Sequence, residues 1–363
     1  MKLLFINLHP VDPQVVRFLA KELVKKGDEI LFATIEKENI ISKIISSYNF
    51  ENIHIGSTKT TYFSKLLNIF TLEKRLFLLL IKFKPDIVFS PCSPHVGLLT
   101  KLLNIPYIAW GDTETAILNA KISFPLINTI LTPSCFSKPV PKNKHIAFEG
   151  YKEMAYLHPN WFNPNPNVLE KLSLSINDKI VLLRFSALKA SHDIGLKSHG
   201  EYSKEKILAY INKLEGYAKV FISMSERDLG PEFKQYKLEI KPHEYTNFLS
   251  YCSLYVGEGT TTASEAGVLG VPWINIQKTT RGYLIEQEVK YGLGFRTDDI
   301  DYAFKTAIDW IKKDNLKEEW KIKQKKLLSE KIDVSSFLIW FIENYPESHK
   351  IMINNPEFQN NFK

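Results

Sequence analysis

The stretch LYVGEGTTTASEAGVLGVPWINI, residues Leu254–Ile276, decides how the rest of this chain is read. Leu254, Tyr255 and Val256 make the end of a buried strand, and Gly257-Glu258-Gly259 a tight turn that needs permissive backbone. Thr260, Thr261 and Thr262 offer N-cap hydroxyls to a helix over Ala263–Leu269, which Gly270 ends and Pro272 follows. Trp273–Ile276 resumes as a strand. A strand, a glycine turn and a helix in that order present free N–H groups at the positive end of a helix dipole, which suits an anion. Glu265, one turn into the helix, can accept two hydrogen bonds from a vicinal diol such as a ribose. A phosphate at the turn and a ribose at the carboxylate together describe a nucleotide diphosphate. Short glycine patterns recur by chance. What narrows this one is its order: Gly-Glu-Gly, three threonines, Ser264-Glu265-Ala266, then Gly-Val-Pro.

At 363 residues the chain is long enough for two domains, each with its own core. Apolar content of 44% and charged content of 24% are those of an ordinary globular protein. A net charge of +7 points to anionic partners: nucleotides, phospholipid surfaces or nucleic acid. No Arg-rich run, zinc spacing or RNA-binding signature supports the last, so no nucleic-acid partner is expected. Cys92, Cys135 and Cys252 are odd in number and far apart, which fits buried thiols in a reducing cytosol. The opening MKLLFINLHP is too short for a signal peptide and reads as the first strand. No apolar run approaches the ~20 residues that span a bilayer. The expected location is cytoplasmic, at most peripheral at the inner face of the membrane.

Taken in order, Lys2–Asn7 is a strand, Leu8–Pro13 a loop with His9 and Asp12, Gln14–Lys26 an amphipathic helix and Ile30–Ala33 a second strand. This opening implies a doubly wound parallel sheet, and its loop lacks the GxGxxG fingerprint of NAD sites. His9 sits at a strand's carboxyl end, where ligand groups gather; a solvent-facing histidine is the other reading. Phe63–Lys84 is a basic, apolar helical stretch, either a core helix with a solvated lysine face or a membrane-surface patch. Strands follow at Pro85–Ser90, Ile105–Trp110 and Ile127–Thr132. Asp112 and Glu114, just past the second of these, suit acid/base work on a sugar hydroxyl, or else cap and start a helix. An Asn/Pro-rich passage around Pro164 and Pro166 reads as the interdomain connection. The second domain opens with a strand over Lys179–Phe185, carrying Arg184, and a loop, Ser186–His199, with Lys189, His192 and Lys197, whose cations could neutralise a diphosphate. Arg281 falls just after the organising stretch, within reach of a phosphate or sugar. Asn315–Lys331 and Val334–Asn344 are helices, and the polar residues from Tyr345 onward are expected to fray.

Six passages together resemble one family: GDTETA at 111–116, ILTPSCF at 130–136, EGYKEMAYLHP at 149–159, LLRFSALKASHDIG at 182–195, GEGTTTASEAGVLGVP at 257–272 and KYGLGF at 290–295. They resemble domain of unknown function family 354 (DUF354), a GT-B-like group related to UDP-N-acetylglucosamine 2-epimerases and GT-B glycosyltransferases and associated with surface-polysaccharide genes. The resemblance implies α/β architecture of the GT-B type: two Rossmann-like, doubly wound parallel-sheet domains facing across a cleft. The implied division is an acceptor-side domain over 1–160, a nucleotide-sugar domain over 161–333, and a terminal helix over 334–363 that crosses back and ends in the frayed tail. By position, Glu265 matches the ribose-binding carboxylate of GT-B enzymes, and Thr260–Thr262 with Gly257 and Gly259 their phosphate turn; Arg184, Ser186 and Arg281 join the same site. Glu114 falls near a catalytic glutamate of the epimerases and His192 near a histidine of theirs. The epimerase His-Arg-Arg-Glu-Asn segment is absent, replaced by Ser186–Gly195.

The leading expectation is a glycosyltransferase that moves a sugar from a UDP-sugar to a surface-polysaccharide or lipid-linked acceptor, with no metal or other cofactor. Helix dipole and basic side chains would stabilise the leaving diphosphate. Glu114 or Asp112 would activate the acceptor hydroxyl, with His9 as an alternative base. The second expectation is an epimerase acting on the nucleotide-sugar alone, with His192 steadying the phosphate. The third is a non-catalytic nucleotide-sugar-binding protein.

Overall fold

A computed structural model describes the whole chain except residues 35–39, 57–61, 113, 115–116, 186–203, 224–229 and 278–280, and gives only the backbone course of 62–69 and 117–119. The chain divides into two compact units. One comprises Met1–Phe162 together with Glu330–Lys363, the other Asn163–Ser329.

The first unit is built on seven strands: β1 (Lys2–Asn7), β2 (Glu29–Thr34), β3 (Asn52–His54), β4 (Ile87–Pro91), β5 (Tyr107–Trp110), β6 (Thr129–Pro133) and β7 (His145–Phe148). They lie in the order β3-β2-β1-β4-β5-β6-β7, and every pair is parallel. A parallel sheet is covered on both faces, so its strands are continuous apolar runs. Accordingly β1 is buried from Leu3 to Asn7. Its residues Leu4 and Ile6 join a core that includes Leu76, Leu79 and Leu80 of the helix Tyr62–Phe83 and Val96 and Leu99 of the helix Pro94–Leu102. The helix Asp12–Lys25 packs with Met154–Leu157 and with the C-terminal helix Val334–Glu343. Chain order reverses between β1 and β4, and in such sheets ligands gather at the carboxyl ends of the strands beside that point.

The first helix starts at Asp12, earlier than Gln14, with Pro13 in its first turn, where a missing N–H costs nothing. The tail does not fray. Glu347–Asn354 is a helix and Pro356–Phe362 a 3₁₀ turn. The polar composition hid an aromatic spacing: Phe358 stacks on Trp340 with ring centroids 4.7 Å apart, and Phe362 lies edge-on to Phe337 at 5.7 Å. Gln359, 5% exposed, accepts the Glu149 N–H at 2.7 Å through its side-chain oxygen.

The second unit has five strands: β8 (Ile180–Arg184), β9 (Lys219–Ile222), β10 (Leu254–Gly257), β11 (Trp273–Asn275) and β12 (Gly294–Arg296). Their order is β12-β11-β10-β8-β9, all parallel, so order reverses between β8 and β10. Leu183, Val256 and Ile274 from adjacent strands share a core with Ala303, Phe304 and Ala307 of the helix Ile300–Ile311. The glycine turn therefore stands at the reversal point.

Candidate functional site

In the second unit the register sets Gly257 opposite Arg184. A Cβ at residue 257 would lie 2.1 Å from the Arg184 carbonyl oxygen, so only glycine lets β10 end this close to β8. The Gly257 carbonyl accepts the Ile276 N–H at 2.8 Å and the Asn275 side-chain amide at 3.0 Å, which ties the turn to β11. Gly259 is needed for a different approach: a Cβ there would meet Arg184 Cδ and the Tyr255 hydroxyl, each at 2.9 Å. Arg184 thus lies along the turn.

The helix after the turn runs Thr260–Leu269, and the expected threonine cap is absent. Gly259 is the N-cap residue, no side chain caps the helix, and the three threonines form its first turn. The turn closes early because Tyr255 reaches back from the strand: its hydroxyl accepts the Gly259 N–H at 3.0 Å and donates to the Gly259 carbonyl at 3.1 Å. Gly270 ends the helix at φ +75°, as the sequence requires. Gly267 lets Gln287 approach, since a Cβ there would fall 2.0 Å from its side-chain oxygen. Gln287 then donates to Ser264 Oγ at 2.9 Å and accepts from Trp273 Nε1 at 3.2 Å, so Ser264 is a packing residue.

Arg184 and Glu265 are both largely enclosed; Glu265 is 6% exposed. Burial works against the Arg184 charge, but Tyr245, Tyr255 and Glu265 outweigh it and hold the guanidinium protonated. The guanidinium sits 5.8 Å from the centroid of the Tyr245 ring. A buried cation, a carboxylate and the uncapped start of a helix share one place, which is what a nucleoside diphosphate needs. Asn275, fully buried at the end of β11, was missed by sequence reasoning; its side-chain oxygen has no hydrogen-bond partner among the described residues. Arg281 is half-buried at the N-cap of the helix Gly282–Val289. Ser186, His192 and the rest of the loop 186–203 lie outside the described residues.

In the first unit a set of buried charges gathers at the carboxyl ends of the strands. Asp112 follows β5 at 4% exposure and Glu114 lies two residues on at 2%. Lys152, 7% exposed, forms an ion pair with Asp112 and stands 3.9 Å from fully buried Glu153. Asp112 also helps raise the neighbouring Cys92 thiol to about 12, after burial itself.

Asp12, which follows β1 and for which sequence reasoning offers no role, completes the set. One of its oxygens accepts the Leu8 and His9 N–H groups at 2.8 and 2.7 Å. The other is buried and has no hydrogen-bond partner among the described residues. Burial, with the Asp112 charge adding to it, lifts its pKa to about 7 against those N–H groups and Lys152. His9 is exposed, and its backbone holds Asp12. The signal that could have found Asp12 is its place after the first strand, beside the reversal of strand order. Among the described residues no group of three or more His, Cys, Asp or Glu side chains is placed to hold a metal.

A profile for the family described as Protein of unknown function (DUF354) matches residues 6–338. An uncharacterised protein of Methanocaldococcus jannaschii is 26% identical over 270 residues, 71% of this chain and 76% of that one. Among solved structures, S. aureus MnaA with UDP superposes with a TM-score of 0.68 at 14% identity, covering 96% of this chain and 97% of that one. The UDP-GlcNAc 2-epimerase from Neisseria meningitidis, bound to UDP-GlcNAc, gives 0.63 at 15%, covering 98% and 99%. The Streptomyces sp. SF2575 glycosyltransferase SsfS6 gives 0.59 at 13%, covering 95% and 100%. At these identities the likeness is one of fold: two parallel-sheet α/β domains of the GT-B type.

Proposed function

This chain belongs to the DUF354 family, and from that premise we propose that it is a metal-independent GT-B-type glycosyltransferase that moves a sugar from a UDP-sugar to a surface-polysaccharide or lipid-linked acceptor. The observation that carries the proposal is the glycine turn at the β8/β10 reversal, with Arg184 and Glu265 buried beside the uncapped start of the helix Thr260–Leu269. In this reading Glu265 accepts the ribose hydroxyls, and the helix start with Arg184 takes the diphosphate. Those same groups meet the negative charge that develops as the C1–oxygen bond to UDP breaks. The acceptor oxygen forms the new bond to C1, and its proton passes to Asp112 or Glu114. The reading places the protein in the cytoplasm, with its acceptor at the membrane.

One observation favours a second reading, an epimerase acting on the nucleotide-sugar alone. Removing one acceptor proton needs one base, whereas the first unit buries Asp12, Asp112, Glu114 and Glu153 with Lys152. The test is NMR of UDP-N-acetylglucosamine incubated with the protein, alone and with glycan or polyprenyl-phosphate acceptors, alongside calorimetry with UDP. The transferase reading expects binding, an intact sugar without acceptor, and UDP release once the acceptor is present. A C2-inverted sugar without acceptor establishes the epimerase. Binding with no turnover under any condition leaves a nucleotide-sugar-binding protein, and no binding of UDP removes the placement of the site.

A further inference from the structure

Three helices of the first unit pack side by side on the face that covers Leu4 and Ile6: Tyr62–Phe83, Pro94–Leu102 and Ile117–Ser123. Their outer surface is oily. Phe70, Leu78 and Ile81 are 69%, 53% and 45% exposed, and Leu98, Leu102 and Ile122 are 52%, 71% and 52% exposed. Residues 70, 74, 78 and 81 share one side of the first helix, so Lys74 stands among the apolar side chains. Lys101 has the same place between Leu98 and Leu102 on the second helix, and Lys121 adjoins Ile122 on the third.

The charge here is predominantly positive. Residues 74–146 hold nine Lys and Arg against three Asp and Glu, which accounts for +6 of the chain's +7. Two of those acids, Asp112 and Glu114, are buried at the carboxyl ends of the strands, and the third, Asp86, accepts the Lys2 N–H at 2.7 Å. Glu73, just before this segment, pairs with His95 at 2.7 Å. Beside Leu102 a polar hollow of about 310 Å³ is lined by Thr100, Lys101, Asn104, Asn128 and Lys144, among others. Lys144 donates to the Phe124 and Pro125 carbonyls at 3.2 and 3.0 Å, and among the described residues no carboxylate lines the hollow. Its pKa is lowered by burial and by Lys101, as for two cations sharing a space without an anion.

Exposed apolar side chains set among cations that outnumber the nearby carboxylates suit an oily surface of negative charge. A second copy of this face would set lysine against lysine. Among the described residues no helix is long and apolar enough to cross a bilayer, so the contact is interfacial. We propose that these three helices seat the protein on a membrane containing anionic phospholipid, with Leu98, Leu102 and Ile122 entering the acyl boundary and the Lys101–Lys144 hollow receiving a lipid phosphate. The proposal stands apart from the reaction, because vesicle binding is read without turnover.

The test is co-sedimentation of the full chain with phosphatidylcholine vesicles, with and without phosphatidylglycerol. Binding is expected only with phosphatidylglycerol and should weaken as salt screens the lysines. Leu98→Asp/Leu102→Asp should weaken it by at least about tenfold. Lys101→Ala should weaken it roughly fivefold. All three positions are exposed, and an unchanged circular-dichroism melt confirms that the variants fold. Failure to bind anionic vesicles overturns the proposal, as does binding that ignores Leu98→Asp/Leu102→Asp. A concentration-dependent dimer that the same double variant dissolves would assign the face to a second copy instead.

Discussion

The two charged sites are built in opposite ways. The glycine turn of the second unit comes from one contiguous stretch plus Arg184, and its shape is set by steric contact: residues 257 and 259 each face an atom that a Cβ would strike. The carboxylate set of the first unit comes from three separate segments, after β1, after β5 and around Lys152, and is governed first by burial, with backbone hydrogen bonds and mutual charge acting on top of it. In the first kind of site each residue's requirement can be stated alone. In the second, the protonation of Asp12 depends first on the burial that the assembled unit imposes, and then on neighbours that include Asp112 and Lys152, which are remote in sequence.

The sharpest way to break the comparison is to fill the turn. Gly257→Ala puts a methyl where the Arg184 carbonyl stands and should cost about 3 kcal/mol of stability in urea unfolding, the upper end of the range for overpacking. A cost below about 1 kcal/mol would show that the turn yields and that steric contact does not define it. Next is the pH behaviour of the buried carboxylate site. Asp12 is held protonated in the fold up to about 7, whereas an unfolded aspartate ionises near 3.8, so between those values the native state binds the extra proton. Native stability should therefore fall as pH rises through that window, by on the order of 2–3 kcal/mol between about pH 5 and 8. Asp12→Asn, which keeps an acceptor for the Leu8 and His9 N–H groups, should remove that slope. Equal slopes in both proteins would mean that Asp12 is ionised in the fold.

Glu265→Gln tests whether the turn's neighbour carries ligand-specific charge. Losing the charged acceptor for two ribose hydroxyls should weaken UDP binding by about 1.5–3 kcal/mol in calorimetry. Unchanged affinity would reduce Glu265 to a partner for Arg184. The smallest effect separates His9 from Asp12. His9 touches Asp12 through its backbone, so His9→Ala should shift stability by less than about 0.5 kcal/mol and leave turnover intact. Lost turnover at unchanged stability would restore His9 as a base.

The legible parts share a cause. Lys2–Asn7 and Leu254–Val256 read as strand in the sequence because a strand buried on both faces is an unbroken apolar run; the second continues one residue further, to Gly257. Asn52–His54 and Gly294–Arg296 escaped, being three-residue edge strands with no such run. The threonines fall inside the first turn because the group that closes the glycine turn, the Tyr255 hydroxyl, arrives from the strand and leaves no local trace. Asp12 was passed over beside His9 because sequence shows which residue types occupy a loop and says nothing of which one turns inward.

What the sequence determined by itself is whatever depends on near neighbours: parallel strands, the glycine turn and the helix that Gly270 closes. Periodicity and backbone permission act over a few residues, so they can be read along the chain. Tertiary structure alone decided that the tail docks through Trp340 and Gln359, and that Asp12, Asp112 and Lys152 share one enclosed space. Burial and charge coupling depend on which distant segments meet, and that distance is settled only when the sheet is assembled.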